Sequence, residues 1–119
     1  MPAPRTILLT GATRGLGRAL VDRFAERNCT LWGCGRSGDK IRELQKKYQP
    51  PHDFEAVDVA REEAVARWCQ RLLKEYGPPD LLINNAAVMN RMAPLWEITA
   101  REMEHMVQVN VLGGAHVIR

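Results

Sequence analysis

The sequence predicts an α/β domain with a doubly wound parallel sheet, running β-α-β-α-β-α-β-α and breaking off after about the fourth strand and helix. Three observations predict it. Four short apolar runs alternate with four segments of helical periodicity, the pattern of βαβ units. A glycine-rich turn separates the first apolar run from the first helical segment. The 119 residues are enough for one hydrophobic core and too few for two.

The strands are expected at residues 5–10, 30–35, 54–57 and 80–84, with Pro50-Pro51 and Pro78-Pro79 marking the entries to the last two. Leu16, Leu20 and Phe24 give the first helix an i, i+4, i+8 stripe. The second helix is shorter and mostly solvated, over residues 40–47 around Ile41 and Leu44. In the third, Val65, Trp68, Cys69, Leu72, Leu73 and Tyr76 recur at steps of three and four, with Arg61, Glu62, Arg67, Arg71 and Lys74 on the wet side. The fourth opens on Thr99-Ala100-Arg101-Glu102, a capping box in which Thr99 and Glu102 satisfy each other's amides. Met103, Met106, Val107 and Val111 define its buried stripe, and Asn110 falls on that stripe, where a carboxamide needs a partner.

Composition narrows the function classes. No apolar run approaches the roughly 20 residues that cross a bilayer, so no membrane role is expected. The N-terminal Met-Pro-Ala-Pro-Arg leads straight into strand-like sequence without the parts of a signal peptide, and the expected compartment is the cytoplasm. Cys29, Cys34 and Cys69 contain no C-x-x-C pair and read as small buried hydrophobes. The formal charge of +3 is spread among acids and gathers into no basic stripe, which argues against nucleic acid. His52, His105 and His116 lack ligand spacing, so no metal is expected, and Trp32, Trp68 and Trp96 read as core or lip residues.

Ile7-Leu8-Leu9 runs directly into Thr10-Gly11-Ala12-Thr13-Arg14-Gly15-Leu16-Gly17, with the helix beginning inside that segment. Such a turn lets backbone approach a pyrophosphate, aims free amides at it and adds the positive end of a helix dipole. Gly17 also permits close packing of helix on sheet. The rival phosphate cradle, the nucleoside-triphosphate P-loop, requires Lys followed by Ser or Thr after its last glycine; Arg18-Ala19 stands there instead.

The spacing from Thr10 to Gly17 resembles the T-G-x-x-x-G-x-G turn of the short-chain dehydrogenase/reductase family, and three further motifs follow in that family's order. Asp58-Val59 resembles its acidic-aliphatic pair, which implies that Asp58 accepts a hydrogen bond from the adenine amino group. Asn84-Asn85-Ala86-Ala87 resembles its N-N-A-G, with Ala87 in place of the glycine, and implies that Asn84 and the backbone of Ala86 line the cofactor ribose. Asn110 resembles the helical Asn that helps hold a water and the catalytic Lys in a proton relay. The resemblance covers the chain from Thr6 onward and implies a Rossmann-type sheet in the order 3-2-1-4-5-6-7. Residues 90–96 are then expected to form one wall of the substrate pocket, and Gly113-Gly114 either to permit helix pairing in a homo-oligomer or simply to cap a helix.

The second strand identifies the cofactor. NAD-binding folds of this kind place an acid near its end for the ribose 2′-hydroxyl, whereas NADP-binding ones supply Arg. Here it ends Gly33-Cys34-Gly35-Arg36-Ser37, so Arg36 is expected to face the 2′-phosphate, Ser37 to hydrogen-bond it and Arg14 to approach from the other side. A carboxylate about 4 Å from the phosphate would cost roughly 4 kcal/mol at an effective dielectric near 20. Asp39 lies close by, and is expected to start the exposed second helix instead. NADP(H) is the expected cofactor, held by Gly11, Thr13, Arg14, Gly15, Leu16, Gly17, Arg36, Ser37, Asp58, Val59, Asn84 and Ala86.

The family resemblance implies chemistry by a Ser and a Tyr-x-x-x-Lys. Tyr48 is followed four residues later by His52 and Tyr76 by Asp80, and the only serine, Ser37, is assigned to the cofactor. The expectation is one partial NADP-binding domain over residues 1–119 of an oxidoreductase for a small carbonyl or secondary alcohol, inactive by itself and marginally stable. The alternatives are a short product that binds NADP(H) or a partner without catalysis, and a product with no role.

Overall fold

The computed structural model describes residues 5–88 and 92–119. Its elements are β1 (Thr6–Thr10), α1 (Gly15–Glu26), β2 (Thr30–Gly35), α2 (Gly38–Lys47), β3 (Asp53–Ala56), α3 (Glu62–Tyr76) and β4 (Leu81–Ile83), then a 3-10 turn (Leu95–Glu97), α4 (Ala100–Val107), a π-helical turn (Gln108–Gly113) and α5 (Gly114–Ile118). The four strands are parallel in the order β3-β2-β1-β4, so the chain crosses over after β3 and leaves β4 at an edge.

Strand alternation divides the core between the two faces. Ile7, Leu9 and Leu31 point toward Val21 of α1 and Ile41 and Leu44 of α2. Leu8, Trp32 and Cys34 point the other way, onto Val65, Trp68 and Leu72 of α3 and Val109 of the π turn. Helices thus cover both faces, and the carboxyl ends of β1 and β4 diverge at the point where the strand order reverses, where open α/β sheets bind ligands.

Several expectations change. Leu16 is 67% exposed, and Val21 with Gly17 takes the buried face of α1. α2 begins two residues earlier than expected because Ser37 caps it, accepting from the amide of Lys40 at 3.3 Å. Leu73 and Tyr76 of α3 are exposed, the Tyr76 ring lying on Trp32 with centroids 5.4 Å apart. Cys34 is buried, whereas Cys29 and Cys69 are only half-buried. Trp32 and Trp68 are core residues, but Trp96 is 85% exposed.

The stripe of the fourth helical segment differs most. Met103, Val107 and Val111 are exposed, Val111 at 60%, and Val109 and Gly113 are the buried positions. α4 itself buries no residue, and the π turn that follows it shifts the register from Val107 onward, so that Val109 and Gly113 face the core in place of Val111. The capping box forms in its first half: Thr99 Oγ1 accepts from the Glu102 amide at 3.1 Å, and the hydroxyl donates to Glu102 Oε1 at 3.3 Å. A radius of gyration of 15.2 Å exceeds the ~13.5 Å of a compact domain this long, consistent with this segment standing off the sheet.

Candidate functional site

The turn after β1 is built on hydrogen bonds that tie β1 to β4. Thr10 Oγ1, buried, accepts from the amides of Asn85 at 3.0 Å and Ala86 at 2.9 Å. Asn85 Nδ2 donates to the carbonyl of Gly11 at 3.1 Å. Gly17 packs beneath the same peptide: a Cβ there would stand 1.8 Å from the Gly11 oxygen. The strand-helix crossing therefore closes only with glycine at 17.

Above this floor lies a cavity of about 370 Å³ at the carboxyl ends of β1, β2 and β4. Gly11, Thr13, Arg14 and Gly15 line it from the turn after β1, Arg36, Ser37 and Lys40 from the end of β2 and the start of α2, Asp58 and Val59 from the end of β3, and Ala86 and Val88 from the end of β4. A Cβ at Gly15 would meet no atom within 4 Å, so the backbone there borders open space that a pyrophosphate can approach. The lining carries three cations, Arg14, Arg36 and Lys40, against one carboxylate, Asp58. Asp58 Oδ1 accepts from the amide of Ala60 at 3.0 Å, which turns the chain from β3 toward α3. A net cationic cleft bordered by glycine backbone, with apolar Val59 and Val88 also in its lining, suits a ligand that joins phosphate to an apolar ring.

A family description, short chain dehydrogenase, matches this chain over residues 5–119. The chain belongs to the short chain dehydrogenase family. It is 35% identical over 119 residues to an NADPH-dependent pterin aldehyde reductase of Arabidopsis thaliana, covering 98% of this chain and 49% of that protein. Serine 3-dehydrogenase of Rhizobium radiobacter is 31% identical over 108 residues, 91% of this chain and 43% of the relative. Among solved structures, a short-chain dehydrogenase from Streptomyces avermitilis superposes with a TM-score of 0.91 at 27% identity, over 100% of this chain and 43% of that one. The closed form of a serine dehydrogenase complexed with NADP+ gives 0.89 at 26% identity, over 96% and 46%. The chain thus spans about half the length of the curated relatives it matches.

Within this short-chain dehydrogenase cleft, Gly11, Thr13, Arg14, Gly15, Arg36, Ser37, Asp58, Val59 and Ala86 line the cavity together. Leu16, Gly17, Asn84 and Asn110 lie outside the lining. Asn84 Nδ2 instead reaches the Gly114 carbonyl at 3.5 Å, and its neighbour Asn85 is the lining asparagine. Asn110 spends both ends of its carboxamide on the Val88 peptide, at 2.8 Å each. Ala87 needs no glycine freedom, because Asn28 is the only non-glycine with positive φ among the described residues. Asp39 pairs with Arg42 at the surface, outside the cavity.

Lys40 was not singled out in the sequence, and Thr10 and Asn85 stood in their motifs without the roles they take here, Thr10 as a buried acceptor and Asn85 as the lining asparagine. Lys40 had a signal in the sequence: a Ser cap at 37 brings the residue three positions on back toward the end of β2. Of the pocket wall expected at residues 90–96, Asn90 and Arg91 lie outside the described residues, and Leu95 and Trp96 are exposed. His52 and His116 serve packing: His52 Nδ1 accepts from the Leu31 amide at 3.1 Å, and His116 Nδ1 lies 2.9 Å from the Val59 carbonyl. Burial pushes the Cys34 thiol up to about 12, so at the cavity floor it is an inert wall. Among the described residues no cluster could hold a metal ion, and no helix is long and apolar enough to cross a membrane.

Proposed function

We propose that residues 1–119 are a single NADP(H)-binding domain, part of an oxidoreductase that interconverts a small carbonyl and a secondary alcohol. One observation carries the reading: Arg14, Arg36, Ser37 and Lys40 line one cavity with the glycine turn, against a single carboxylate among its described lining residues, Asp58, whose Oδ1 already accepts from the Ala60 amide. Arginine forks suit a phosphate monoester, and a free ribose hydroxyl would leave both guanidiniums without a partner. A relative named for NADPH dependence and a fold neighbour solved with NADP+ support the same choice.

Each residue has a task that follows from its place. Gly15 and the first turn of α1 take the pyrophosphate on free amides and the helix dipole. Gly11 and Gly17, packed on each other, hold that turn against the sheet. Thr13 and Leu16 belong to the same turn, Leu16 through its backbone, since its side chain faces solvent. Asp58 and Val59 take the adenine, the carboxylate accepting from its amino group and the valine packing on its face. Ala86 lines the ribose beyond, and Asn84 steadies the β4 end from outside. Asn110 acts at one remove, fixing the Val88 wall through two hydrogen bonds. The bound cofactor supplies or accepts a hydride; the Ser and Tyr-x-x-x-Lys expected to handle the proton are not in this sequence. We therefore propose that this chain alone binds NADP(H) without turning it over, in the cytoplasm, and that a homo-oligomer belongs to the longer enzyme.

The test is a thermal melt of the purified chain with NADPH, paired with an absorbance assay for NADPH consumption with simple aldehydes and ketones. A rise in midpoint without consumption is expected. No ligand-dependent rise would contradict the binding claim, and turnover would contradict the assignment of the missing chemistry.

A further inference from the structure

Lys40 lines the same cavity as Arg36 and Ser37, from the first turn of α2. A cation is out of place there. The N-terminal end of a helix is the positive pole of its dipole, and α2 carries its other lysines, Lys46 and Lys47, in the favourable last turn. Asp39 of the same first turn gives its carboxylate to Arg42. Neither Arg36 nor Lys40 has a carboxylate partner among the described residues. Two uncompensated cations therefore stand beside a helix N-terminus at the rim of a cavity. A local rule broken without compensation inside the chain points to an anion from outside it.

The cap also prepares the hydroxyl between them. Ser37 Oγ accepts from the Lys40 amide at 3.3 Å, which leaves its proton to be donated outward. We propose that Lys40 is a specificity-determining residue, which with Arg36 and Ser37 forms a site for the 2′-phosphate of NADP(H). Arg36 supplies a planar fork, Ser37 a hydroxyl donor, and Lys40 a mobile point charge with three donors. The proposal rests on the NADP(H) reading of the cavity and extends it to a residue outside the glycine turn and the end of β2.

The experiment is calorimetric titration of the chain and its Lys40→Gln and Lys40→Glu variants with NADPH, NADH, adenosine 2′,5′-bisphosphate and 5′-AMP. Lys40 is exposed, so both variants should fold, and melts without ligand check this. Lys40→Gln should weaken NADPH and the bisphosphate about fivefold, Lys40→Glu more, with NADH and 5′-AMP shifting by less than about twofold. The ligand-free melting midpoint should hold or rise, because the misplaced charge is gone. Equal weakening of both ligand pairs, or of neither, would overturn the role of Lys40 while leaving the cofactor reading intact. Wild-type chain that binds NADH as tightly as NADPH would overturn both.

Discussion

The carboxamide of Asn110 and the peptide of Val88 exchange two hydrogen bonds, each 2.8 Å long, across the gap between the π turn and the strand-end loop. Asn110 is thereby a brace for a cavity wall. The π turn that carries it also buries Val109 against the α3 side of the sheet, so the brace is seated in the core. Asn110→Ala removes both bonds and leaves a peptide to find water. A loss of about 1–2 kcal/mol is expected, read from the urea unfolding midpoint. Asn110→Asp should recover part of it, because a carboxylate still accepts from the Val88 amide but cannot donate to the Val88 carbonyl.

Gly17 and Gly15 separate packing from ligand access. At Gly17 a methyl group would stand 1.8 Å from the Gly11 carbonyl oxygen, so Gly17→Ala must push α1 off the sheet. A destabilisation of about 3 kcal/mol is expected. At Gly15 the backbone has φ +56° with open space around it, so Gly15→Ala should cost only about 1 kcal/mol of folding while intruding on the cavity. Urea melts with and without NADPH check the pair: Gly17→Ala should fail in both, and Gly15→Ala mainly in the ligand-dependent gain.

The strand and helix pattern was legible because both faces of the sheet are covered, which makes β1 and β2 continuous apolar runs, and because α2 and α3 keep their periodicity. The glycine turn was legible because its chemistry is local. The site's other half was less so. Choosing between Asn84 and Asn85 depends on how β4 meets Thr10, a contact across 75 residues that no spacing encodes. Leu16 mimics a core position, but the helix starts with that residue facing out. The stripe of Met103, Val107 and Val111 has true helical spacing, yet all three are exposed, and after Val107 a π turn shifts the register so that Val109 and Gly113 take the buried positions.

Acid should loosen the contact between α1 and α2. The Asp22 carboxylate is held down to about 2 from 3.8, first by the Tyr48 hydroxyl that donates to it, then by the Arg18 guanidinium at 2.8 Å, with Lys47 adding at 3.3 Å. A carboxyl depressed in the folded chain stabilises it fully above its unfolded value and loses that contribution as pH falls from about 4 to about 2. Its side chain is 39% exposed, so solvent screening reduces the contribution to about 1 kcal/mol. Asp22→Asn should therefore be less stable than the parent at neutral pH and converge with it near pH 2, measured by urea melts across that range.

The most direct test of the cofactor reading is the ratio of NADPH to NADH affinity in the parent chain and in Arg36→Glu, measured by calorimetry at low salt. The guanidinium that lines the cavity at the end of β2 becomes a carboxylate, attractive to a ribose hydroxyl and repulsive to a phosphate. The parent should favour NADPH by about tenfold or more, and the variant should lose or invert that preference, mostly through weaker NADPH binding. Equal affinities in the parent, or a preference that survives the charge reversal, would contradict it.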